Sequence, residues 1–219
     1  MQTALVTAFQ SSLTMFGDEE LPLPDHWGTK EDFATLFKYF WYRDFPMDKS
    51  AIGARRTDWT IHVGLVVRSI GDFMGLATRF ERGGRKDAVL RSLEGDEIAV
   101  EWEWQGIWGQ NELKKLRAHK VWSPSKDGHK SLRYGVLITY THTPNIDRVY
   151  ERVRLEWAEA CWPLLLVLID LEETKKFPSG KDFKNINFSV FDSTGQKILG
   201  SVPAFPWNVE STRWSIQAF

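Results

Sequence analysis

Three acidic residues, Asp87, Glu101 and Glu103, come together once a hairpin between them is folded. The run Glu97-Ile-Ala-Val-Glu-Trp-Glu-Trp104 has strand character, and strand side chains alternate between faces. Ile98, Val100, Trp102 and Trp104 therefore share one face, and Glu97, Ala99, Glu101 and Glu103 share the other. Folding the chain about Gly95 pairs residues whose numbers sum to about 190, which puts Asp87 opposite Glu103 and diagonal to Glu101, within roughly 8 Å at the backbone. Like charges across a ladder repel, and the local offset is Arg85 and Lys86. A divalent cation offsets them more fully. Hard ions such as Mg²⁺ take carboxylate oxygens and keep several waters, which leaves room for a phosphate. One such ion polarises a phosphoryl oxygen and activates a bound water; two clamp the attacking and leaving oxygens. A half-exposed strand with solvated glutamates presents the same alternation. A two-carboxylate glycosidase could also place acids this way, but both acids and a third neighbour on one short hairpin would be unusual for it.

The elements that must hold these residues follow from periodicity and chain breakers. Ala88–Leu93 and Glu97–Trp104 are strand-like runs around Glu94-Gly95-Asp96, preceded by a short strand over Ala77–Glu81 and the break at Gly83-Gly84. Upstream, Thr29 suits an N-cap, with Phe33, Leu36, Phe37 and Phe40 at helical spacing. A second helix begins after Thr57 with the stripe Ile61, Leu65, Val66, Ile70 and Phe73, and Gly71 and Gly75 mark its end. Downstream, a helix from Asn111 to near His119 turns Leu113 and Leu116 inward, and Tyr134–Tyr140 is a strand. Asn145 caps a helix reaching to near Ala160, with Ile146, Val149, Val153 and Trp157 on one side. Leu164–Ile169 is a continuous buried strand. Asn187–Phe191 and Lys197–Val202 make a late hairpin about Ser193-Thr194-Gly195. Helix, three-strand meander, helix, strand, helix, strand is an α/β alternation that implies a mixed sheet with helices on its faces.

The chain has 219 residues, which fits one domain: an N-terminal helical extension (1–56), a core (57–170) and a C-terminal hairpin and tail (171–219). Hydrophobic residues make up 42 %, with 11 Trp, enough for a sizeable core and too apolar for a disordered chain. With 28 basic and 29 acidic side chains, nucleic-acid binding must come from local patches rather than a global field. The single Cys161 allows no internal disulfide and no cysteine-built zinc site, and it suits a reducing, cytoplasmic compartment. No signal peptide is expected from the opening residues. The most apolar stretch, Pro163–Ile169, is too short to span a bilayer, so no membrane partner is expected.

The run Arg85-Lys86-Asp87-Ala-Val-Leu, then Ile98-Ala-Val-Glu101-Trp-Glu103, then a helix and an apolar strand, resembles the PD-(D/E)XK nuclease superfamily of restriction, repair and recombination nucleases. That core is a helix, a three-strand meander bearing an Asp and then a (D/E)-x-K motif, a helix and a further strand. The resemblance covers residues 57–142. It implies a restriction-endonuclease-like mixed sheet and an endonuclease that uses Mg²⁺ or Mn²⁺ to hydrolyse DNA. Asp87 matches the first acidic metal ligand and Glu101 the second, with the Trp102 carbonyl as a backbone ligand. Glu103 stands where the superfamily usually has Lys, as in some restriction enzymes, and would hold a water or second ion. Lys115 or Lys114 would supply the cation, as in relatives whose lysine has migrated to the following helix. Arg82, Arg85, Lys86 and Lys114 would hold DNA phosphates beside the acids. Members of the superfamily that lose catalysis keep the fold, so a non-catalytic module of a defence or recombination complex is the alternative. A homodimer or a protein partner fits either reading.

Other residues offer less. His26, His62, His119, His129 and His142 form no H-x₃-H spacing. His62 is expected to pack within its helix, and the loop of His119 and His129 lacks supporting ligands. Cys161, between a helix and a buried strand, is expected to be a buried, inert thiol. Gly83-Gly84-Arg85-Lys86 has no following Gly-Lys-Ser/Thr and is no nucleotide cradle. Lys114–Lys130 is the most basic stretch and could track a nucleic-acid backbone. Trp207 and Trp214 could stack on bases, although packing over the core or at a dimer interface is their more ordinary use.

Overall fold

The computed structural model describes residues 28–45, 56–82, 86–103, 111–125, 131–173 and 181–205. Helix α1 (Lys30–Arg43) starts where the sequence places a cap. Thr29 Oγ1 accepts from the Asp32 N–H at 3.1 Å, and Asp32 Oδ2 accepts from the Thr29 N–H at 2.9 Å. This reciprocal pair satisfies donors that the first turn leaves open. α1 buries Phe33, Phe37, Phe40 and Trp41, and α2 (Arg56–Phe73) packs beside it, with Trp41 stacked on Trp59 at 5.9 Å. The buried side of α2 is Trp59, His62, Val63, Val66, Val67 and Ile70. Three residues of the expected stripe, Ile61, Leu65 and Phe73, are more than half exposed. α2 carries apolar residues on two sides, and the aromatic face of α1 selects the side with Trp59 and His62.

Seven strands form one sheet in chain order: β1 (Ala77–Arg82), β2 (Lys86–Arg91), β3 (Asp96–Glu103), β4 (Tyr134–His142), β5 (Leu164–Glu173), β6 (Lys181–Asp192) and β7 (Gly195–Pro203). β1, β2 and β3 are an antiparallel meander. β3 and β4 are parallel, as are β4 and β5. Parallel neighbours need a crossover, supplied first by the connection containing α3 (Glu112–Arg117). The second is the 3₁₀ turn Thr143–Asn145 with α4 (Ile146–Trp157). β5, β6 and β7 are antiparallel, so the late hairpin extends the same sheet.

The sheet is covered on both faces. α1 and α2 bury Ile98, Val100, Val136, Ile138 and Val167 on one face. α3 and α4 bury Ala99, Leu137, Leu166 and Leu168 on the other. The uninterrupted apolar run of β5 follows from this, since neither of its faces meets water. Among the described residues no helix is long and apolar enough to cross a membrane.

The β2–β3 register differs from the sequence expectation by two residues. Ala88 faces Val100, Val89 faces Ala99 and Leu90 faces Ile98. Ser92 N–H donates to Gly95 O, so Leu93 and Glu94 form the tip, and Leu93 is 96 % exposed. The turn thus closes ahead of Gly95. A bulge then adds Glu97 to β3 between the pairs Arg91–Asp96 and Leu90–Ile98. The two changes leave an even slip, which keeps the side chains from Ile98 to Glu103 on their expected faces. Cys161 is exposed rather than buried, and Asn145 makes no side-chain cap bond. Arg85, His26, His129, Trp207 and Trp214 lie outside the described residues.

Candidate functional site

The observed register carries Asp87 one step beyond Ala88–Val100, directly opposite Glu101 rather than Glu103. Asp87 Oδ2 accepts from the Trp102 N–H at 2.7 Å, a bond that holds its carboxylate against β3. Trp102 thus meets Asp87 through its amide, while its ring packs on the other face, edge-on to Phe80 at 6.4 Å. Glu101 is fully buried. Glu103, also buried, lies two residues further along the same face. Its carbonyl accepts from Thr139 Oγ1 on β4 at 3.0 Å.

The α3 crossover brings two more charged side chains onto these acids. Lys115 Nζ donates to Glu112 Oε1 at 2.8 Å and lies 2.7 Å from Glu112 Oε2. The same ammonium is 4.0 Å from Glu101 Oε2. Glu112 is buried, and Lys115 is partly exposed. The sequence alone does not single out Glu112. Its signal was the i,i+3 spacing to Lys115, which puts both on one helix side.

The site is electrostatically strained. Burial pushes Glu101 up to about 9, aided by the hydrogen-bonding proximity of Glu112 and the charges of Asp87 and Glu112, against the pull of Lys115. Burial also raises Asp87, against the lowering effect of the Trp102 N–H. Desolvation draws Lys115 down, but the Glu112 hydrogen bond and the charges of Glu101, Glu112 and Asp87 leave it raised. Three neighbouring carboxyls therefore share one ammonium from the described residues, in a setting where an unbalanced charge is costly.

Among the described residues no three His, Cys, Asp or Glu side chains form a ready-made metal cage. Asp87 Oδ2 is turned to the Trp102 N–H and Glu112 to Lys115. The donor chemistry nevertheless fits a hard divalent ion: the candidate ligands are carboxylate oxygens and the Trp102 carbonyl, all hard oxygen donors, and the set carries more negative than positive charge.

Of the expected DNA contacts, Lys114 is exposed on α3, beside the buried Leu113. Arg82 and Lys86 end β1 and begin β2, where their backbones pair with each other. Arg79 is exposed on β1 across from Val89, on the face that carries Asp87. His62 sits in an aromatic box, 4.5 Å from the Trp41 ring and 5.9 Å from Trp59. A separate buried acid, Asp170, accepts from the Asn185 N–H at 2.9 Å, Asn187 Nδ2 at 3.2 Å and Thr143 Oγ1 at 3.1 Å, and ties β5 to β6 and to the turn before α4.

Comparison with known proteins gives no matching family model and no matching curated protein.

Proposed function

We propose that the chain is a metal-dependent endonuclease that hydrolyses DNA phosphodiester bonds on a restriction-endonuclease-like core, in a reducing, cytoplasmic setting. The observation that carries this reading is Asp87 facing Glu101 across β2–β3, with the Lys115 ammonium 4.0 Å from Glu101. The order helix, antiparallel meander, crossover helix and parallel strand supports it. Asp87 and Glu101 would hold Mg²⁺ or Mn²⁺, with Glu112 or Glu103 as a further carboxylate. The ion's contribution is to polarise the phosphate and lower the pKa of a water. Lys115, held by Glu112, presents its ammonium to the charge that builds on the phosphate oxygens, in the part the superfamily usually gives to a strand lysine. The buried face of β3 limits bulk water around these groups. Arg79 and Lys114 stand on strands and helix bordering the acids and would meet flanking phosphates.

The test is cleavage of supercoiled plasmid and single-stranded DNA with Mg²⁺ or Mn²⁺. Asp87→Ala and Glu101→Ala should each abolish cleavage while circular dichroism stays unchanged. Full activity in both variants overturns the site. A second reading, a non-catalytic module on the same fold, draws on Glu103 at the usual lysine position and on the absence of a ready-made cage among the described residues. It predicts no nicking by the wild type with either ion.

A further inference from the structure

A second buried polar cluster lies at the opposite end of β3 from Glu101. Asp96 is 1 % exposed and the His119 side chain 0 %. Asp96 Oδ2 meets His119 Nε2 at 3.0 Å and accepts from the Trp122 N–H at 3.0 Å. Asp96 Oδ1 accepts from Arg91 Nε at 2.7 Å. The Asp96 N–H donates to Trp122 O at 2.9 Å, and the Arg91 guanidinium lies 4.0 Å over the Trp122 ring. A carboxylate has only acceptors to offer, so His119 Nε2 carries the hydrogen. The His119 and Trp122 contacts tie the segment after α3 to the hairpin, and the Arg91 bond braces Asp96 from β2.

α3 has six residues. A helix that short does not hold its shape by backbone bonds alone. Leu113 and Leu116 bury its apolar side, but apolar contact is non-directional and fixes rotation and height poorly. Arg117 donates to Glu156 O on α4 at 2.7 Å, which ties the helix to its neighbour and not to β3. His119 lies two residues past the end of α3, its N–H donating to Leu116 O at 3.2 Å, and both it and Lys115 reach toward β3.

We propose that the Asp96–His119 pair is a positioning clamp: it fixes α3 over β3 and thereby sets the separation of Lys115 from Glu101. Asp96 and His119 would act on the acids through Lys115, so they are positioning residues. The inference rests on the assignment of Lys115 to the site.

The test reads Lys115 directly. Lysines of the chain are labelled by reductive ¹³C-methylation, and the Lys115 signal is assigned with Lys115→Arg in the absence of metal and DNA. In the wild type its shift should stand apart from those of the exposed lysines, because the ammonium lies 2.7 Å from Glu112 and 4.0 Å from Glu101. In His119→Leu the signal should move to the exposed-lysine position. His119→Gln, which keeps an N–H donor, should restore the wild-type signal. A purely structural pair would lower the melting temperature and leave the Lys115 signal of the folded protein in place; that result overturns the clamp. Should His119→Leu not fold, Asp96→Asn, which keeps the side-chain volume, carries the same readout. In an active enzyme, displacement of Lys115 by about 1 Å should reduce kcat on the order of 100-fold with KM for plasmid unchanged. A wild type that never cuts DNA counts against the nuclease reading alone, and an unmoved Lys115 signal counts against the clamp alone.

Discussion

Replacing Glu101 by Gln should make the protein more stable at neutral pH while removing its activity. Glu101 has no exposed surface, and its carboxyl is raised from an ordinary 4.5 to about 9. Between those values the folded chain keeps a proton that the unfolded chain has released, so the wild type loses stability as pH rises through this window. Glutamine is neutral at every pH and loses nothing. The gain of Glu101→Gln over wild type should be near zero at pH 4.5 and grow by about 1.4 kcal/mol per pH unit, reaching on the order of 3 kcal/mol at pH 7. For a chain of this length that is roughly 6–12 °C in Tm. Urea unfolding of both proteins at about pH 5, 7 and 8.5 measures it. Added Mg²⁺ should narrow the gap, because a ligand of the native state stabilises the wild type and the variant has lost a binding oxygen. A variant less stable than wild type at all three pH values, or a gain that does not change with pH, refutes the reasoning.

Two further predictions concern the other face of the sheet. Burial lowers His62 to about 4, against the pull of Asp44, so the folded chain binds fewer protons than the unfolded one below the ordinary 6.5 and stability falls as pH drops through that range. His62→Leu should relieve about 2 kcal/mol of this loss at pH 5 compared with its effect at pH 8, measured by thermal unfolding at the two pH values. Trp41 is fully buried, and its indole N–H donates to Ala204 O at 2.8 Å. Trp41→Ala should cost about 3–5 kcal/mol in urea unfolding, through the cavity and the stranded carbonyl together.

Much of this was legible in the sequence because local signals and tertiary needs agreed. Alternation from Ile98 to Glu103 tells which side chains share a face. Helix and strand periods together required a mixed sheet with both faces covered. The β2–β3 register was harder to read. An apolar Leu93 looks like strand, yet it sits at the exposed tip, because the pull of Arg91, His119 and Trp122 on Asp96 draws that residue into β3. Glu97 then bulges. These are contacts with residues far along the chain, which turn chemistry alone does not encode. Glu112 went unnoticed for a related reason. A glutamate opening a helix is an ordinary partner for the helix dipole, and what distinguishes this one is the strand beneath it. The apolar stripe of α2 was misread because the helix offers two apolar sides, and α1 decides between them.

The central claim is that Asp87 and Glu101 together hold a divalent cation. A crystal soaked in Mn²⁺, with diffraction recorded for anomalous scattering, tests it most directly. The account predicts one strong anomalous peak within coordination distance of both carboxylates, with the Lys115 ammonium beside it. A well-ordered site that shows no peak there, or manganese bound elsewhere on the chain with Asp87 still turned to the Trp102 N–H, contradicts it.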